Sequence, residues 1–100
     1  MPSEIYTVSQ IKSILRPVFQ RYNIRRAVLF GSYGKGCAKE NSNLDLLVDS
    51  GLKGLNFVGF IEDVRVAIDK EVDIIDTAHL EKDSELDFEI QRTGVVIYEK

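Results

Sequence analysis

A chain of 100 residues with a formal net charge of −3, 44% hydrophobic and 29% charged, has the size and composition of one soluble globular domain, 1–100. The charge argues against a bulk nucleic-acid binder, which carries a basic surface, and no apolar run approaches the roughly 20 residues that span a bilayer. MPSEIYTVSQ at the N-terminus has neither a basic leader nor an apolar core, and the single cysteine, Cys37, leaves no intrachain disulfide, so a cytoplasmic location is the expectation.

Along the chain, Ile11, Ile14, Leu15, Val18, Phe19 and Tyr22 repeat at the period of an amphipathic helix, with Thr7 or Ser9 available as N-cap. Pro17 lies inside that helix and predicts a kink or break, and Asn23 ends it. Arg26 to Phe30 reads as a strand closed by Gly31, and Leu44 to Asp49 as a second strand opened by the turn-like Asn41-Ser42-Asn43. A second helical stripe follows at Phe57, Phe60, Ile61, Val64, Ala67 and Ile68. Val72 to Asp76 is a third strand and Gly94 to Tyr98 a fourth. Leu80, Leu86, Phe88 and Ile90 imply a helix between them, from about Ser84 to Arg92 and ended by Gly94. The order α-β-β-α-β-α-β predicts an α/β (α+β) domain, a mixed sheet of about four strands with helices packed against it.

The residues that carry chemistry begin at Phe30-Gly31-Ser32-Tyr33-Gly34-Lys35-Gly36. Glycine at the end of a buried strand lets backbone approach a bulky ligand, and free N–H groups at such a turn attract an anion. Ser32 adds a hydroxyl donor for a phosphate oxygen, and Lys35 a mobile cation. On the second strand, positions two apart face one way, so Asn43 and Asp45 project together about 7 Å apart. If the strand of Asp73 neighbours this one, its carboxylate completes an oxygen cluster suited to Mg²⁺. Two such ions roughly 3.5–4 Å apart can clamp an in-line phosphoryl displacement. A carboxylate such as Asp45, flanked by Leu44 and Leu46-Leu47-Val48, is expensive to bury unless a metal or a cation partners it.

The run G-S-x-x-x-G followed by S-x-x-D-L-L-V resembles the signature of the polymerase-β-type nucleotidyltransferases. With V-D-I-I-D and the closing G-V-V-I-Y-E, most of the chain is similar to the minimal nucleotidyltransferases, small partners of HEPN-type proteins in toxin–antitoxin pairs. The resemblance implies the polymerase-β-type fold and a two-metal Mg²⁺ site with ATP as substrate. Gly31 and Ser32 would hold the triphosphate, Asp45 would bind both metals, and Asp73 would orient and deprotonate the attacking hydroxyl. It further implies that AMP is transferred to a tyrosine of a HEPN-type toxin, making the chain an antitoxin.

The family's acidic strand carries D-x-D, and here its first position is Asn43, a neutral ligand. Losing one charge beside two dications weakens metal binding, because close charges in a partly dry site interact by several kcal/mol. Three readings stay open: a weakened enzyme, an inactive antitoxin that neutralises its partner by complex formation alone, or a substitution introduced to trap a complex. The bland assignments are a loop cover for Tyr33, a strand-end surface charge for Asp76, a structural or exposed His79, and a solvated helix face for Glu81 to Glu89.

Overall fold

The computed structural model describes residues 5–39 and 42–100. The first helix, α1 (Val8–Arg21), starts at a reciprocal cap: Gln10 N–H donates to Thr7 Oγ1 and Thr7 N–H to Gln10 Oε1. It buries Ile11, Leu15, Val18 and Phe19, and it continues through Pro17 without the expected break. Pro17 and Ser13 both face solvent, so water can satisfy the carbonyl that loses its N–H. The apolar residues on either side are held in the same core.

The strands are β1 (Arg26–Phe30), β2 (Leu44–Asp49), β3 (Val72–Asp76) and β4 (Val95–Glu99). They form one sheet in the order β3-β2-β1-β4. β1 pairs antiparallel with both β2 and β4, and β2 pairs parallel with β3, so the sheet is mixed as expected. The parallel pair requires a crossover, supplied by α3 (Leu55–Ile68). The helix α4 (Glu85–Thr93) is capped by Ser84, whose hydroxyl accepts from Asp87 N–H, and is ended at Gly94.

Three expectations need correction. Gly31–Lys35 is not an open loop but a five-residue helix, α2, because Gly34 lets its backbone sit against β1 and α4. A Cβ at Gly34 would meet the carbonyl oxygens of Leu29 at 2.9 Å and Thr93 at 3.1 Å. The fourth strand begins at Val95, because Gly94 N–H is spent closing α4 on Ile90 O at 2.7 Å. Leu80 does not belong to the last helix; it ends a 3-10 turn at Thr77–His79.

Alternation along the strands divides the core in two. Ala27, Leu29, Leu44, Leu46, Val48 and Ile97 face α1 and α3. Val28, Phe30 and Leu47 face Ile90 of α4, with Ile75, Leu80 and Leu86 against them. Burying such side chains contributes about 1.5–3 kcal/mol each, so both faces of the central strands are covered. The side chain of Asp45 lies between those of Leu44 and Leu46 in the alternation, and therefore on the α4 face.

Candidate functional site

Register brings the acidic residues together. In the parallel pairing Asp45 stands opposite Asp73, and in the antiparallel pairing it stands opposite Phe30. Both carboxylates thus project on the α4 face at the C-terminal end of β1. Gly31 follows Phe30 with φ +69°, a left-handed conformation that disfavours any side chain. A Cβ there would overlap Asp45 Oδ2, so the glycine and the carboxylate are in direct contact. Ser32 comes next, partly exposed in the first turn of α2.

Asn43 is exposed immediately before β2, and its Nδ2 donates to Asp73 Oδ2 at 3.5 Å. Asn43, Asp45, Asp73 and Gly31 therefore converge. Lys35 is held elsewhere, with its ammonium 3.0 Å from Glu89 Oε1 on α4. Tyr33 faces the opposite way: it is buried among the residues packed by α1 and α3, with the Lys70 ammonium 5.9 Å from its ring centre. It covers core rather than ligand.

The electrostatics define what the site can hold. Burial raises the Asp45 pKa, the neighbouring Asp73 carboxylate raises it further, and together with Glu89 they push it up to about 6. Two carboxyl groups face each other, and the one nearby donor is the Asn43 amide on Asp73. An all-oxygen donor set of this kind fits a hard dication, with Asp45, Asp73 and the Asn43 side-chain oxygen as the candidate ligands. Among the described residues no group of three or more His, Cys, Asp or Glu side chains forms a metal cluster, in keeping with an asparagine at the third position.

Two residues escaped the sequence reading. Asp76 is buried rather than a surface charge, 7% exposed, and accepts from the Ser50 hydroxyl, from Ser50 N–H at 3.2 Å and from Ala78 N–H at 2.9 Å. Burial alone would raise its pKa, but those donors hold it below the usual range. Its signal was an aspartate directly before a Thr-Ala turn, a cap pattern. Glu89 belongs to the charge-rich run expected to form a solvated face, yet it lies three residues after Leu86 and next to Ile90, beside the inward stripe. Asp49 is paired with Arg25 at 3.2 Å and takes no part.

A small mixed sheet with paired carboxylates on neighbouring strands and a glycine turn against one of them is an arrangement suited to phosphoryl transfer. The family described as polymerase beta, nucleotidyltransferase, matches residues 10–100, and the chain belongs to it. Protein MJ0435 of Methanocaldococcus jannaschii, which bears the name of a protein adenylyltransferase, is 31% identical over 70 residues, 68% of this chain and 75% of that protein. In fold, the chain is similar to one in a toxin–antitoxin crystal structure with AMP-PNP, at TM-score 0.75 and 19% identity over 89% of this chain and 73% of that one. A complex of a tri-AMPylated Shewanella oneidensis HEPN toxin with an MNT antitoxin contains another, at TM-score 0.70 and 15% identity over 94% and 74%.

Proposed function

We propose that this nucleotidyltransferase transfers AMP from ATP to a tyrosine hydroxyl of a HEPN-type toxin and thereby acts as its antitoxin in the cytoplasm. The observation that carries the reading is the contact of Gly31 with Asp45 beside Asp73, on one face of the sheet. The family and the adenylyltransferase name of the archaeal relative support it, as does the resemblance in fold to chains of toxin–antitoxin complexes.

Asp45 and Asp73 would hold Mg²⁺, with Asn43 as a neutral third ligand. Bound there, Mg²⁺ would neutralise charge on the phosphates and on the departing oxygen. Ser32 and the Gly31 turn bind and orient the triphosphate, and Lys35 contributes a cation. The acceptor oxygen bonds to the α-phosphorus as the bond from that phosphorus to the bridging oxygen breaks. Pyrophosphate leaves, and the hydroxyl proton passes to Asp73.

A second reading, neutralisation by complex formation alone, is favoured by the Asn43 amide donating to Asp73 where the family has a carboxylate. The test is transfer of labelled AMP to the toxin with Mg²⁺. Label on the toxin with wild type, lost in Asp45→Asn, supports the enzyme. Absence of label in both wild type and Asn43→Asp, with the complex intact, favours occlusion.

A further inference from the structure

Lys35 and Glu89 make a contact that the proposed chemistry does not use. The pair spans α2 and α4 at 3.0 Å, with side chains 42% and 32% exposed. The backbone of α2 cannot follow its lysine, because Gly34 is wedged between Leu29 O and Thr93 O. Only the side chain is free to swing, and its four-carbon stem carries a charge that is easily redirected. Lys35 stands three residues after Ser32, on the same side of the short helix. Glu89 sits on the face of the sheet that carries Asp45 and Asp73, since α4 packs there through Ile90 and Leu86. Its negative charge is felt at Asp45.

We infer that Glu89 is a positioning residue that competes with the nucleoside triphosphate for Lys35, on the reading that this lysine is a phosphate contact. In the structure the ammonium rests on Glu89. A triphosphate, carrying several negative charges, draws it across, and the Glu89 carboxylate is left uncompensated near the two aspartates. Glu89 thus sets how tightly the triphosphate is held, without touching it.

The test is a four-protein cycle read by calorimetric binding of AMP-PNP with Mg²⁺: wild type, Glu89→Gln, Lys35→Met and the double variant, each checked for an unchanged melting curve. Breaking an exposed ion pair of this kind should tighten binding roughly three- to fivefold in Glu89→Gln. Lys35→Met should weaken it, and adding Glu89→Gln to that background should change it by less than half as much. An equal effect in both backgrounds, or weaker binding in Glu89→Gln, overturns the competition while leaving the nucleotide site intact. Absence of binding by the wild type would remove the site and the competition together.

Discussion

Asp45 is strained by its position. Its folded pKa of about 6 lies above the ordinary 3.8, so the fold binds a proton in that interval that the unfolded chain does not. Above pH 6 both states are ionised and the metal-free fold carries the full penalty. As pH falls through 6 the folded form is protonated first, stability rises, and the gain levels off near 3.8. Asp45→Asn removes the penalty, so its melting temperature at pH 7.5 should exceed that of metal-free wild type by several degrees, roughly 4–8 °C for each kcal/mol in a domain of this size. The same variant should lose AMP transfer. An unchanged or lower melting temperature would show that the two carboxylates do not repel in solution. A residue that destabilises the empty fold is the expected mark of a group placed for a ligand.

Elements set the positions that residues exploit. The C-terminal end of β3 is tied to the segment after β2 by Asp76, through Ser50, and to the 3-10 turn through Ala78. Removing the carboxylate orphans buried donors, which costs about 1–3 kcal/mol. Asp76→Ala should therefore lower the denaturant midpoint with little change in slope. Because the Asp76 pKa is depressed, its contribution is present above about pH 4 and is lost as pH falls through the folded value, opposite in sign to that of Asp45. The two titrations separate in acid denaturation, where the gap between Asp76→Ala and wild type should start to narrow only as pH falls below the ordinary 3.8. The same element logic explains α2. Five residues with two glycines have no propensity for a helix, and the turn persists because β1 and α4 close on its backbone.

At the scale of the molecule, the site exists only because four segments meet: the end of β1, the start of β2, β3 and α4. A ligand that bridges them should stabilise the whole fold. Mg²⁺ with AMP-PNP at 100 times its dissociation constant adds about 2.7 kcal/mol, a shift of ten degrees or more in melting temperature. Asp45→Asn should show almost none of it. If wild type and variant shift alike, the nucleotide is held away from these carboxylates.

Much of this was legible in the residues. Helix positions followed from an apolar period of 3.6, strand positions from short apolar runs bounded by turn residues, and the ends from Thr7, Ser84 and Gly94, because these depend on neighbours within one or two turns. The Gly-Ser turn and the spacing of Asn43 and Asp45 are local in the same sense. Whether Asp73 joined them was not local: it required β2 and β3 to pair in parallel with Asp45 opposite Asp73, and a shift of one residue would have sent Asp73 to the other face. The burial of Asp76, the helical form of Gly31–Lys35 and the capture of Lys35 by Glu89 join residues 26, 59 and 54 positions apart or depend on packing between elements. Local pattern specified which side chains could do chemistry. Long-range packing decided which of them share a face, because that depends on strand order and register, which no single segment encodes.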